Sequence, residues 1–187
     1  MSPLIIGVII LAVLVILLII WVVSRQNRLV HAEELCGNAL SQIGVQQSSR
    51  WDALNALADL TKGYSEHEYQ TLLDAISARK SVGAKTPAAE VQQQEDMLTQ
   101  SFGRIHALAE AYPDLKSNTI YLETMDSVRD FEEKVRMSRM IYNDTVTKYN
   151  RLVRTFPGSL VAKSLNFGVC DYLQEDSGKS AMPNMAR

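Results

Sequence analysis

The sequence has little cysteine, glycine and proline, and it has no block of basic residues. Its two cysteines, Cys36 and Cys170, lie far apart, which is unlike the framework of a disulfide-stabilised domain. Nine glycines and five prolines in 187 residues leave long stretches without a helix breaker. The formal net charge is −2, and no run of lysine or arginine is long enough to indicate nucleic-acid binding.

No pattern typical of a catalytic or metal site is present. His67-Glu68 is similar to half of a zinc-protease helix, but Thr71 stands where the second histidine is needed. None of the three histidines follows a glutamate by three residues, as a di-metal helix bundle requires. Cys36 falls on an apolar helical stripe, where a buried structural cysteine is the usual case. We therefore expect no catalytic residue, no metal and no cofactor.

One apolar segment near the N-terminus has the length of a membrane span. Residues 4–23 carry no charge, and a helix of this length extends ~30 Å, the thickness of a bilayer's hydrocarbon core. In that core the backbone must bond within the segment, which requires a helix. A cleaved signal peptide is the alternative, but its basic start, shorter apolar run and small-residue cleavage site are missing. We predict that residues 1–24 form a transmembrane anchor.

Basic residues near the span indicate its orientation. Arg25 and Arg28 follow it, and no lysine or arginine precedes it. Positive charge close to a membrane favours the cytoplasmic side. We therefore expect a single-pass protein with its N-terminus outside and the rest of the chain in the cytoplasm.

Four amphipathic helices are predicted within residues 25–167. The first continues from the span without a proline and ends before Gly63. The second begins at the capping box Ser65–Glu68. The third begins at Thr86-Pro87, with threonine as its N-cap, and ends at Pro113.

The fourth predicted helix has the clearest pattern, because its inward residues are spaced alternately four and three apart. This heptad stripe consists of Tyr121, Met125, Val128, Glu132, Val135, Arg139, Tyr142, Val146, Tyr149 and Val153. Four helices with short links predict an all-α fold, in which the transmembrane helix continues into an antiparallel four-helix bundle. Residues 168–187 are predicted to form a mobile C-terminal tail.

Polar residues at inward positions suggest a polar layer inside this bundle. Glu132 and Arg139 lie on the fourth stripe, Arg79 falls on the second, and Gln46 and Arg50 lie near the middle of the first helix. We predict that they form a buried layer that sets helix register, with a cationic residue beside Glu132. Two other interpretations stay open: the long side chains reach solvent from a drifting stripe, or they form a site for a ligand or partner.

Several short segments form a recognisable set. They are Arg50-Trp51-Asp52, Lys62-Gly63-Tyr64, His67-Glu68, Ala78-Arg79, Glu110 to Lys116, Tyr142-Asn143-Asp144, Tyr149-Asn150 and Phe156-Pro157-Gly158. In this order, between Ala39 and Phe167 and behind an N-terminal span, they resemble the LemA family of bacterial membrane proteins. The resemblance implies a four-helix bundle at the bacterial cytoplasmic (inner) membrane and implies little about mechanism.

The first helix departs from the family's pattern. Family members commonly have Pro-Asn where this chain has Asn55-Ala56, tryptophan in place of Leu40, and aspartate in place of Gly44. Because a proline bends a helix, its absence predicts a straighter first helix. The departures also suggest a subgroup with its own partner.

Together these features predict an interaction or scaffold protein in contact with the lipid bilayer. We expect it to bind membrane or cytoplasmic proteins and to form a homo-oligomer in the membrane. Family members are often encoded near membrane zinc proteases, so the resemblance implies a protease as one partner to test. The alternative is a signalling module that relays conformational change between membrane and bundle. An enzyme with an unrecognised site is a third hypothesis.

Overall fold

The computed structural model describes residues 3–174, and within that range it is all-helical, with no strand. Its helices are α1 (Pro3–Thr61), α2 (Glu66–Ser77), α3 (Ala88–Ala111), α4 (Pro113–Lys116), α5 (Thr119–Arg154) and α6 (Gly158–Ser164). The predicted all-α class is confirmed. The predicted tail lies outside the described residues from position 175 onward.

The apolar N-terminal segment belongs to a single helix, α1, that is 59 residues long. Its most apolar 18-residue window has a mean hydropathy of 3.6, and none of that window is buried. Within residues 3–174, α1 is the one helix long and apolar enough to cross a membrane. These features fit a membrane-associated protein.

Side-chain caps explain where two of the helices begin. Ser65 Oγ accepts a hydrogen bond from the Glu68 N–H at 3.3 Å, so the predicted capping residue precedes α2. Asn118 Oδ1 accepts from the N–H groups of Ile120, at 2.9 Å, and Tyr121, at 3.3 Å, at the start of α5.

The start of α3 and the short helix α4 differ from the prediction. Thr86 does not cap α3, because its hydroxyl accepts from the Gly83 N–H at 2.9 Å and Pro87 precedes the helix. Pro113 follows the end of α3 as expected. It also opens α4, which was not predicted because a single turn shows no periodicity in the sequence.

The chain forms two compact units. The first unit comprises the residues up to Cys36 together with Asp144–Cys170. Within the described residues, the second unit comprises Gly37–Asn143 together with residues 171–174. Helices α1 and α5 each contribute to both. The division into an anchor, a bundle over 25–167 and a tail stays a prediction.

The core of the second unit draws on α1 to α5. Its largest buried side chains include Trp51, Leu54, Leu57, Leu72, Leu98, Phe102, Ile105 and Leu115. Helix α2 packs against α3, and the rings of Tyr64 and Tyr112 lie 5.5 Å apart. These residues continue the apolar stripes of the sequence, so burial of one face per helix explains this core.

The core of the first unit is smaller and includes residues from the end of the apolar segment. Leu29, Val161 and Ala162 are buried. Trp21 and Val22 of α1 pack against this cluster. Helix α6 therefore lies beside the last turn of the apolar segment.

Close packing around position 44 explains why this chain has glycine there, where the resemblance predicts aspartate. A Cβ atom at this position would lie 2.1 Å from the carbonyl oxygen of Val82, in the loop after α2. Backbone cannot move aside as a flexible side chain can, so only glycine fits here.

We expect Gly44→Ala to lower the free energy of unfolding by about 1–3 kcal/mol, as overpacking does. The matched control is Gly103→Ala, because a Cβ at Gly103 inside α3 would meet nothing within 4 Å. It should stabilise the helix by about 0.5–1 kcal/mol. Urea unfolding of the full-length protein in mild detergent, followed by circular dichroism, measures both. Equal shifts would contradict the close approach of the Val82 carbonyl.

Candidate functional site

A cluster of charged and amide side chains lies inside the second unit. The side chain of Arg50 in α1 is only 1% exposed and pairs through Nη1 with Oε1 of Glu95 in α3. The second carboxylate oxygen, Oε2, accepts from Gln47 Nε2 at 3.1 Å. The guanidinium of Arg50 also lies 5.6 Å from the ring centre of Phe102. Both carboxylate oxygens of Glu95 thus face donors inside the core, whereas Arg50 Nε has no hydrogen-bond partner among the described residues.

Two residues of α5 complete the cluster. The buried Arg139 places Nη2 4.0 Å from Glu95 Oε2, and its Nη1 donates to the Gln174 carbonyl at 3.3 Å. Glu132 accepts from Arg50 Nη2 at 3.3 Å, but its side chain is 44% exposed. Two arginines and two carboxylates therefore balance in charge and join α1, α3 and α5.

The structure brings together only part of the predicted layer. Arg50 and Arg139 are buried in it, and Glu132 has the expected cationic neighbour in Arg50. Glu132 itself is not buried, because it lies at the margin of the α5 stripe and keeps water contacts that reduce the cost of desolvation.

Arg79 and Gln46 lie elsewhere. Arg79 follows the end of α2 at Ser77, so it is not on that helix's stripe, and it donates to Asp52 Oδ1 at 2.9 Å and Ser48 Oγ at 2.6 Å. Gln46 is partly exposed and takes no part in the cluster, whereas the next residue, Gln47, is buried.

The two missed members, Gln47 and Glu95, had a signal in the sequence. Position 47 follows Ile43 by four and precedes Arg50 by three, which continues the α1 stripe. Glu95 lies four residues after Val91 and three before Leu98 on the α3 stripe. A strict count of the spacing would have found both.

In the first unit, α5 side chains hold an extended piece of the C-terminal segment. Asn150 donates to the Cys170 carbonyl and accepts from the Cys170 N–H, both at 2.9 Å. The Tyr149 hydroxyl donates to the Gly168 carbonyl at 2.8 Å. One amide side chain thus satisfies both backbone groups of a single residue, as a neighbouring β-strand would.

In the second unit, the preceding Tyr-Asn pair of α5 makes the same contacts. Asn143 donates to the Leu173 carbonyl at 2.9 Å and accepts from its N–H at 3.0 Å. The Tyr142 hydroxyl donates to the Asp171 carbonyl at 2.9 Å, and Leu173 is buried.

These contacts change the interpretation of residues 168–174, which were predicted to be part of a mobile tail. The segment lacks the periodicity of a helix or strand, so its order could not be predicted from the pattern of residues. Its backbone is held by side chains of α5, which a search for regular elements does not detect.

The two cysteines meet in the first unit despite their separation in sequence. The thiol of Cys36 is hydrogen-bonded with that of Cys170, and the two cysteines do not form a disulfide. Burial, followed by the proximity of Cys170, raises the pKa of Cys36 to about 12. At neutral pH this thiol is therefore protonated and a poor nucleophile. Burial, with smaller effects of Glu33 and the cysteines, also raises the pKa of Tyr149 to about 12.

Helix α5 also carries an apolar patch on the side opposite its buried stripe. Met137, Met140 and Ile141 are each more than half exposed. Their spacing of three and four residues places them on one helical face. In residues 3–174 no group of histidine, cysteine, aspartate or glutamate could hold a metal ion.

Comparison with known proteins places the chain in a family. The model of the LemA family matches residues 39–186, which is most of the sequence. The chain belongs to the LemA family. A LemA protein of Metamycoplasma hominis is 28% identical over 148 residues, covering 77% of this chain and 66% of the relative.

Two magnetosome proteins show a shorter similarity. Magnetosome protein MamQ 2 of Paramagnetospirillum magneticum is 29% identical over 75 residues, and MamQ of Magnetospirillum gryphiswaldense is 28% identical over 75 residues. Each match covers 40% of this LemA-family chain and 28% of the magnetosome protein. The chain thus spans just under two thirds of its LemA relative and little more than a quarter of the magnetosome proteins.

Proposed function

We propose that this LemA-family protein is a non-catalytic scaffold at the bacterial cytoplasmic membrane that acts by binding protein chains, first of all other copies of itself. The observation that carries the proposal is the exposed patch of Met137, Met140 and Ile141. Contiguous exposed apolar side chains mark interaction surfaces, and methionine adapts its shape to a partner. The patch lies opposite the buried stripe of α5, so the core of the second unit does not need it.

A second copy is the occupant that the membrane favours. Anchoring by the apolar part of α1 confines all copies to one plane and one orientation, which raises their effective concentration. Weak contacts between patches are then sufficient for assembly. We place the N-terminus outside, the helices from α2 onward in the cytoplasm, and the helices in an antiparallel four-helix bundle. This arrangement is supported by Arg25 and Arg28 after the span and by the ion pairs that join α1, α3 and α5. The family resemblance also implies an adaptor role for a membrane protease.

Replacing Met137, Met140 and Ile141 together with serine is expected to reduce self-association of the full-length protein by at least about tenfold. Mass measurement in mild detergent and cross-linking in membranes would show this loss. The control replaces Glu123, Asp126 and Arg129 with serine, three exposed residues of α5 outside the patch. Equal loss in both variants, or a wild-type protein that stays monomeric in membranes, would contradict the proposal.

One observation favours a second function, the relay of conformational change. The apolar segment and the core residues of the second unit are parts of one unbroken helix, α1. Helical backbone rather than an irregular linker therefore joins the membrane segment to these core residues, and in this proposal it carries a rotation or shift between them. A monomeric wild-type protein without co-purifying chains would favour this relay over the scaffold.

A further inference from the structure

A pocket in the first unit is surrounded by positive charge. It has a volume of about 210 Å³ and is lined by Arg25 and Arg28 of α1 and by Arg151 of α5. No acidic residue lines it. Within residues 3–174, the side chains of Arg28 and Arg151 make no hydrogen bond and no ion pair. Three arginines around one pocket without a counter-charge attract an anion.

The pocket lies at the end of the apolar segment. Arg25 and Arg28 follow its last residue, Val23, by two and five positions, which is ~3 Å and ~8 Å along the helix. The polar headgroup region of a bilayer is roughly 5–8 Å thick on each side of the hydrocarbon core. With the apolar segment in a bilayer, both arginines therefore lie among the headgroups of one leaflet.

Apolar side chains are exposed beside the pocket. Phe156 is 75% exposed and Leu160 is 61% exposed. Val161 and Ala162 of helix α6 belong to the buried cluster against which Trp21 and Val22 pack, so this region lies at the depth of the last turn of the span. Large apolar side chains that are costly in water are favourable at the interface of a bilayer.

The charge of the first unit differs from that of the whole chain. Its two segments contain six lysines and arginines but only three aspartates and glutamates, whereas the chain has a net charge of −2. Basic charge is thus concentrated in the unit that contains the apolar segment. An anionic membrane surface is the partner that this distribution fits.

We propose that the first unit binds the headgroup of an anionic phospholipid. Its phosphate lies between Arg25, Arg28 and Arg151, and Phe156 and Leu160 insert beside it in the same leaflet. Guanidinium groups suit a phosphate because they donate two parallel hydrogen bonds. The proposal rests on the span crossing a membrane and is independent of the self-association proposed above.

The test uses full-length protein in nanodiscs of phosphatidylcholine with a minor fraction of phosphatidylglycerol, where one of the two lipids carries brominated acyl chains. Bromine quenches tryptophan on contact, and Trp21 lies beside the pocket with Arg25 5.7 Å from its ring centre. Quenching by brominated phosphatidylglycerol should exceed the share expected from its abundance. Arg28→Gln combined with Arg151→Gln should reduce this preference by at least about tenfold.

The matched control is Arg129→Gln combined with Arg136→Gln, which removes the same charge from exposed positions of α5 in the second unit. Its lipid preference should be unchanged. Equal loss in both variants, or no preference in the wild type, would overturn the proposal. Loss of the preference on adding inorganic phosphate, but not chloride at equal ionic strength, would identify a free-anion site instead.

Insertion of the apolar residues has a separate readout. In a Trp21→Phe background, Phe156→Trp places a reporter in the turn before α6. Brominated acyl chains should quench this reporter, whereas Trp51, which is buried in the second unit, provides a constant background. A reporter that is not quenched would place the turn outside the leaflet and contradict insertion.

Discussion

Replacing Glu95 with glutamine is expected to lower the free energy of unfolding by about 3–5 kcal/mol, because it leaves buried cations without their counter-charge. Both oxygens of the carboxylate face donors, Arg50 Nη1 at Oε1 and Gln47 Nε2 at Oε2. In glutamine one of these oxygens becomes an amino group, so a donor meets a donor. Urea unfolding in mild detergent, followed by circular dichroism, measures the change.

Glu132→Gln is the matched control, because the same chemical change is made on a carboxylate that also contacts Arg50 but remains partly in water. It should cost only about 0–1 kcal/mol. Replacing Arg50 with methionine and Glu95 with leucine together should recover much of the loss, since the pair's desolvation is then removed. If Glu95→Gln and Glu132→Gln are equally mild, the cluster does not stabilise the fold.

Replacing Val146 with aspartate is expected to destabilise the protein by more than about 4 kcal/mol, since it places an unpaired carboxylate in a core position. Val146 is fully buried in the first unit, in the middle of the α5 stripe. The buried charged side chains of residues 3–174 are Arg50, Glu95 and Arg139, all in the second unit, so the core of the first unit contains no buried cation of its own. Thermal unfolding, together with the yield of folded protein, provides the measurement.

Lys148→Asp is the control for this change, because the same side chain is introduced two residues away at an exposed position. Lys148 Nζ lies 3.9 Å from Asp144 Oδ2. Lys148→Asp therefore replaces a weak surface attraction to Asp144 with a weak repulsion between two carboxylates. The expected cost is about 0–1 kcal/mol. Similar effects at the two positions would mean that the phase of the α5 stripe is misassigned.

Much of the helical structure could be predicted because periodicity and caps are local properties. The α5 stripe, the Ser65 cap and the end of α3 before Pro113 all follow from residues close in sequence. The short helix α4 and the fixed backbone of residues 168–174 could not be predicted in this way. A single turn has no period, and the C-terminal segment depends on side chains some 20 to 30 residues away in sequence.

The charged cluster was predicted in kind but only partly in its members. The inward position of Arg139 followed from the spacing on α5, whereas Arg50 was included only because it lies near the middle of the first helix. The carboxylate that pairs with Arg50 could not be predicted, because the stripe of one helix cannot show which residue of a facing helix meets Arg50. Glu95 and Glu132 both lie on stripes, and only the packing of α1 against α3 makes Glu95 the buried partner.

The asparagines of α5 have a consequence for how this protein can change in evolution. Asn143 and Asn150 bind the N–H and carbonyl groups of Leu173 and Cys170, which every residue except proline offers. The identity of the bound residues therefore matters little to these hydrogen bonds. We expect relatives to retain amide side chains at the two α5 positions while the sequence they hold drifts freely, with an apolar residue kept only where Leu173 is buried.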